Sequence, residues 1–338
     1  MMTGFLLIIL GALCGGSFGL PSKFVRKETS WETLWGPFFF FATVLLPLLA
    51  GPALVKDLFG ICGSLTPGQW IGPAAFGFLW GLGSMTLGLS FAFVGLSLAY
   101  AINYGVQIAF GTIVPALIFT PSVFGTAKGA VMLGGAFVCI LGVVVSGKAA
   151  LLKERGGEGG AIHAPRKLGK GITVAVLSGI LCACYALAFG FGGDVMQQAS
   201  TAPFSNPAWR ASFAVTALAL WGGSLSACGY CVRQLTVNKT WGTLFRRDTL
   251  PVYFIALVMA LLHDGAIACF GVGCPMLGSL GVSVGYAIFM SLAIFTGTVN
   301  GFLTGEWHGA NARAVNGIRL ALAVLVIGVC FLAYANAM

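Results

Sequence analysis

Apolar residues run through this chain in ten long stretches, approximately 3–21, 33–55, 70–93, 96–120, 126–149, 171–192, 207–231, 250–273, 277–303 and 317–337, separated by short polar connections. A helix rising about 1.5 Å per residue needs about 20 apolar residues to cross the roughly 30 Å hydrocarbon layer. Each stretch therefore predicts a transmembrane helix, and we number them 1 to 10. The least marked boundary lies between the third and fourth, where a turn containing Gly95 and no charge divides 70–93 from 96–120. The predicted fold class is an all-α integral membrane protein with ten transmembrane helices.

The connections alternate in charge. Lys23, Arg26 and Lys27 follow helix 1; Lys148, Lys153, Arg155, Arg166, Lys167 and Lys170 lie around the connection after helix 5; Arg233, Lys239, Arg246 and Arg247 follow helix 7; Arg313 and Arg319 follow helix 9. The even connections hold only Lys56, Lys128 and Arg210. Basic connections stay in the cytoplasm, so both termini are expected outside. The first stretch has no basic n-region and reads as a retained helix. Gly11-Ala12-Leu13-Cys14 departs from a lipoprotein cleavage box because Leu13 is bulky where a small residue is needed.

Glycine and charge break the pattern at 150–170, through Lys153-Glu154-Arg155-Gly156-Gly157-Glu158-Gly159-Gly160. Five stretches lie on each side. We divide the chain into a first five-helix repeat (1–155), a cytoplasmic glycine-rich basic connection (156–170) and a second five-helix repeat (171–338). An odd number of crossings per half inverts one half relative to the other, a common transporter plan with its site near the midplane. Weak echoes agree: Phe110-Gly111-Thr112 with Phe295-Thr296-Gly297-Thr298, and Leu10-Gly11-Ala12-Leu13-Cys14 with Ser178-Gly179-Ile180-Leu181-Cys182.

Composition narrows the class further. Hydrophobic residues make up 58% and charged residues 8%, against about 25% charged in soluble domains. Fifty glycines suit helices that approach closely in lipid. The formal net charge of +9 is accounted for by the membrane-flanking connections, so nucleic acid is not an expected partner; the lipid bilayer is.

Of nine acidic residues, Glu28, Glu32, Asp57, Glu154, Glu158, Asp194, Asp248 and Glu306 fall in connections or at helix ends. Asp264 lies near the middle of helix 8, with His263 beside it. An ionised carboxylate at that depth is costly unless paired, hydrated or neutral, which suits it to bind and release a proton; imidazole titrates near neutrality. Asp264 and His263 are the candidate coupling residues. Consecutive helical residues point about 100° apart, so the two need not share a cavity, and an Asp capping a broken helix next to Gly265 is the structural alternative. No metal or organic cofactor is expected: Cys228-x-x-Cys231 occupies one helical turn with no second pair or nearby His. Most of the ten cysteines fall inside apolar helices, where thiols act as small hydrophobes. Cys62 and Cys274 are predicted on the outward side, where a disulfide is conceivable if they meet.

Four further segments carry a resemblance. Ser30-Trp31-Glu32-Thr33-Leu34-Trp35, Leu79-Trp80-Gly81-Leu82-Gly83, Leu152-Lys153-Glu154-Arg155 and Gly305-Glu306-Trp307 resemble, in matching order over nearly the whole length, the L-rhamnose–proton symporter family of the drug/metabolite transporter superfamily. The likeness is looser in helices 6 to 8. It implies a five-plus-five inverted repeat, proton-coupled sugar uptake across a bacterial inner membrane, and a proton as coupling ion; a related deoxysugar or another small metabolite stays open as substrate.

A sugar needs convergent donors and acceptors and an apolar surface against its C–H face. Tyr100, Asn103 and Gln107 lie on one face of helix 4, with Tyr104 beside them. A polar seam against a neighbouring helix is the alternative for that stripe. Trp80, Tyr185 and Tyr286, together with Trp221, are the aromatics predicted nearest the midplane; Trp31, Trp35, Trp70, Trp209, Trp241 and Trp307 sit at span ends as expected interfacial anchors. The substrate-binding candidates are Trp80, Tyr100, Asn103, Tyr104, Gln107, Tyr185 and Tyr286. A secondary transporter accounts for these features. A membrane-embedded enzyme would need clustered acids, histidines or metal ligands near one interface, and a channel would need a filter-like segment or charged ring. Oligomeric state is not legible.

Overall fold

The computed structural model describes residues 2–156, 165–277 and 285–338, and its long elements are helices. α1 (Met2–Ser17) leads through a tight turn, Leu20–Phe24, to α2 (Trp31–Leu54). α2 widens into a π turn at Phe41–Leu45, where Leu46 N–H bonds Phe41 O, just before Pro47. Proline has no N–H to continue the regular ladder, and the wider turn absorbs the defect.

Next comes a 53-residue helical run, Pro67–Phe119, broken at Gly95 (φ 77°, ψ 173°). That φ is left-handed and open to glycine at little cost. The break reverses the chain. Ser178 Oγ donates to Gly83 O at 2.7 Å and accepts from Asn103 Nδ2 at 2.8 Å, yet residues 83 and 103 on a straight helix would lie about 30 Å apart. The two limbs are α3 (67–94) and α4 (96–119). α5 (Ala127–Gly156), α6 (Pro165–Phe191), α7 (Ala208–Val237), α8 (Leu250–Met276), α9 (Tyr286–Leu303) and α10 (Ala312–Ala337) follow.

Among the described residues eight helices are long and apolar enough to cross a membrane, with Pro67–Phe119 counted once. α9 is shorter in its described apolar part, Ile288–Leu303; residues 278–284 of the expected ninth stretch, and 157–164 of the connection between halves, lie outside the described residues.

Glycine lets backbones meet. A Cβ on Gly77 would overlap Ala219 O across the α3–α7 seam, and one on Gly328 would stand 2.8 Å from Cys139 N across α5–α10. Packing of this kind replaces water exclusion in lipid.

The connections gather at two ends. Lys23 and Glu306 pair, Glu306 reaches Leu96, and Asn311 Nδ2 donates to Leu152 O, so the connections after α1, α3, α5 and α9 share one end. Glu32 at the start of α2 bonds Asn238 and Thr240 after α7 and brings that connection to the same end. This is the basic end. At the opposite end Asn206 exchanges hydrogen bonds with the backbone of Lys56.

One expectation needs correction. Trp35 and Trp307, read as interfacial anchors, are 3% and 7% exposed: Trp35 packs among Phe38, Phe39 and Phe91, and Trp307 donates Nε1–H to Ser97 Oγ at 2.9 Å beneath the Lys153 ammonium. Glu32 lies at a helix end, in the first turn of α2, and is buried there; its carboxylate accepts from Asn238 and Thr240. Cys62 and Cys274 are both free thiols, so no disulfide joins them.

Candidate substrate cavity and coupling pair

A cavity of about 630 Å3 opens between α1, α3, α4, α6, α7, α8 and α9, within the roughly 300–1,000 Å3 typical of small-molecule sites. Its inner part is formed by Gly15, Phe18, Trp80, Tyr104, Gln107 and His263. From there it extends toward Met196, Ala208, Trp209 and Cys274, at the end opposite the basic connections.

Below it, toward the basic end, aromatic rings close the path. Phe18 meets Tyr100 edge-on at 5.8 Å, Phe38 at 5.9 Å and His263 at 5.4 Å, while Phe91 lies 5.1 Å from Tyr100. Such pairs contribute geometry as well as area.

The predicted residues separate into groups. Trp80, Tyr104, Gln107, Tyr185 and His263 line the cavity. Tyr104 donates its hydroxyl to Gly15 O, and Tyr185 donates to Thr216 Oγ1 at 3.2 Å. Tyr100 and Asn103 are wholly buried behind it. Tyr100 accepts the Gly19 amide at its hydroxyl, and Asn103 donates to Ser178 Oγ while its carbonyl faces Gln107 Nε2 at 3.4 Å. The stripe on α4 thus runs from the seam with α6 at Asn103 to the cavity at Gln107. Trp221 stacks on Trp70 at 6.2 Å instead. Tyr286 opens α9, and its side chain lies outside the described residues.

His263 and Asp264 join through Nδ1 and Oδ1 at 2.7 Å, both side chains mostly buried. They face different spaces: His263 lines the central cavity, and Asp264 lines a second one between α2, α7 and α8. The rings of Trp80 and Phe18 flank the imidazole at 5.7 and 5.4 Å. A carboxylate bonded to one ring nitrogen orients the imidazole and sets its tautomer. Among the described residues no three His, Cys, Asp or Glu side chains converge as a metal site.

Sequence reasoning missed the hydroxyls of Ser84, Ser212 and Thr216, which also line the cavity; serine and threonine in apolar helices carry no distinguishing pattern. It also missed a latch at the basic end. Glu306 accepts from Lys23 Nζ at 2.6 Å, from Ser97 Oγ and Ser97 N–H, and from Leu96 N–H at the start of α4. Burial disfavours its charge, but the Lys23 ammonium and the bonds from Ser97 and Leu96 outweigh that and hold the carboxyl below its ordinary value. A carboxylate at a helix N-terminus is also favoured by the helix dipole.

An apolar multi-helix protein with a central cavity, aromatic and amide side chains on its walls and a buried, hydrogen-bonded His263–Asp264 pair fits the transporter class. The chain belongs to the family described as L-rhamnose-proton symport protein (RhaT), whose model matches residues 1–337; this is a family of transporters, not enzymes. It is similar to proteins named L-rhamnose-proton symporter from Cronobacter sakazakii (26% identical, 96% of this chain and 94% of the relative covered), Pectobacterium carotovorum (27%, with 97% and 96%) and Klebsiella pneumoniae (25%, with 94% and 93%). No solved structure matches.

Proposed function

We propose that the protein imports a small sugar, L-rhamnose or a related deoxysugar, together with a proton across the bacterial inner membrane by alternating access. The names of its relatives support the substrate and the coupling ion. The observation that supports the mechanism is a central cavity whose wall carries His263, hydrogen-bonded to the buried carboxyl of Asp264 behind it.

In this reading the ten stretches are ten crossings in an inverted five-plus-five arrangement, with termini outside and the basic end in the cytoplasm. The cavity then faces outward. Trp80 and the neighbouring phenylalanines take the C–H face and methyl group of a deoxysugar, while Gln107, Tyr104, Tyr185 and His263 meet its hydroxyls. The His263–Asp264 pair holds the coupled proton. Passage inward requires the aromatic floor and the Glu306 latch to open.

Reconstitution into proteoliposomes tests this. L-rhamnose accumulation that needs an imposed proton gradient and collapses with a protonophore is expected. Equilibration without accumulation would make the protein an uncoupled uniporter, and absence of rhamnose transport alongside transport of another metabolite would overturn the substrate assignment.

A further inference from the structure

The coupling pair sits in a wall between two cavities. Asp264 does not line the central cavity; it lines a second of about 220 Å3, whose other walls include Leu46, Ala50 and Leu54 of α2 and Leu220 of α7. Thr216, Phe213 and Ile267 line both spaces and form the partition. The second cavity follows α2 to Leu54, next to the connection that begins at Val55, at the end away from the basic connections.

The two spaces differ in chemistry. The central one offers aromatic faces, amide and hydroxyls, and its titratable side chains besides His263 are Tyr104, Tyr185, Cys182 and Cys274. Among the residues lining the second, Asp264 is the titratable one, and the remaining walls are apolar apart from Thr216. Such a space has nothing to hold a polyol, but it admits a water that visits a carboxylate. Side chains of adjacent helical residues diverge by about 100°, which is how one helix can put His263 on one side of the partition and Asp264 on the other while their heads still touch.

Building on the coupling role above, we propose that Asp264 exchanges its proton with the outside through this second cavity, while sugar reaches His263 through the central one. Proton and sugar then arrive at one bonded pair by separate routes. The sugar does not have to leave for the carboxylate to be protonated.

Chemical labelling of the full-length protein in lipid nanodiscs, read by peptide mass spectrometry, tests the separation. Diethylpyrocarbonate reports on His263, and dicyclohexylcarbodiimide, an apolar reagent to which a protonated carboxylic acid adds, reports on Asp264. At L-rhamnose about 100 times its dissociation constant about 1% of sites stay empty, so labelling of His263 falls about 100-fold. Labelling of Asp264 keeps its rate. A Cβ at Gly265 meets nothing within 4 Å, so Gly265→Leu grows into the space beside Asp264; it should suppress carbodiimide labelling and proton-driven uptake while sugar exchange without a gradient continues. Ala268→Phe, on the same cavity wall, repeats the test if Gly265→Leu fails to fold. Equal protection of His263 and Asp264 by sugar overturns the separate route and leaves coupling by the pair intact. Uphill uptake by Asp264→Asn overturns the coupling role, and the proposal with it.

Discussion

Replacing Glu306 with glutamine removes one charge and almost no volume at the point where α1, α4 and α9 meet. In the native protein its two carboxylate oxygens accept from Lys23, from Ser97 Oγ and from the amides of Leu96 and Ser97. Glutamine offers one acceptor oxygen, and its NH2 group would face donors. Lys23 and Glu306 side chains are 26% and 10% exposed, so the pair lies between a surface bridge, worth about 0–1 kcal/mol, and a fully buried one, whose disruption costs about 3–5 kcal/mol. We take about 2–3 kcal/mol, which multiplies the opening equilibrium at this end roughly 30- to 160-fold. Hydrogen exchange reads that number directly, because the Leu96 and Ser97 amides exchange when the latch opens. Their exchange should accelerate by that factor in Glu306→Gln, with amides around Trp70 at the opposite end unchanged. Unchanged protection at Leu96 and Ser97, or equal acceleration at both ends, would refute the latch. The pH dependence follows from sign. A carboxyl held below its ordinary value of 4.5 stabilises the closed latch fully above that value and loses the contribution only as pH falls through the depressed one. After correction for intrinsic rates, latch protection should therefore be flat from about pH 5 upward.

Asp264→Asn should keep L-rhamnose exchange across proteoliposomes without a gradient and lose uphill accumulation; wild-type accumulation would end the coupling assignment. Asn103→Ala, which strips a buried amide from Ser178, should cost about 1–3 kcal/mol and show in thermal stability, whereas Gln107→Ala should weaken sugar binding about 2- to 13-fold with little loss of stability. The reverse pattern in a thermal-shift and binding series would put Asn103, not Gln107, at the sugar. Gly95→Ala places a Cβ 2.8 Å from the Glu306 carboxylate at φ 77°, ψ 173°, a backbone region open essentially to glycine alone, costing about 1–3 kcal/mol for the backbone by itself. It should reproduce the exchange phenotype of Glu306→Gln, and normal protection of Leu96 would show that the turn tolerates a side chain.

Much of the architecture was legible because each limb had to supply its own length of apolar surface. The turn at Gly95 could be read without any charge to mark it, and the alternation of basic connections anticipated which ends meet in space. Position around a helix was less legible. Tyr100, Asn103 and Gln107 share one stripe, but α6 covers its middle: a Cβ on Gly179 would come 2.7 Å from Asn103 O, and that close approach depends on a glycine in another helix. Trp307 reads as an anchor at a span end, and only the inward fold of the connection after α9 shows it buried against Ser97. Glu306 had no visible partner because Lys23 stands almost a full chain length away.

Two chemistries hold the helices together, and they differ in what separation would require. In the α3–α7 and α5–α10 seams, glycine brings backbone against backbone: Gly77 against Ala219 O, Gly222 against Ala74 O, Gly328 against Cys139 N. Sliding there drives a side chain into main chain, and a close-packed interior resists it. Near the basic end three glycines face side chains instead: Gly19 meets the Phe91 ring, Gly88 the Trp35 ring and Gly297 the Tyr100 ring, while Gly16 keeps a backbone contact, with Ala293 O of α9. Rings can rotate where backbones cannot. The same end carries hydroxyl and carboxylate bonds from Glu306 to α4, from Glu32 to Asn238 and Thr240, and between Thr33 and Thr243. Water at a membrane surface can replace a neutral hydrogen bond such as Thr33–Thr243 for a net cost of about 0.5–1.5 kcal/mol, and one to a carboxylate for about 1.5–3 kcal/mol. The proposed cycle therefore has its compliant contacts in the rings and hydrogen bonds of the basic end, and the backbone seams, α1–α9 at Gly16 included, are the parts expected to travel as rigid pairs.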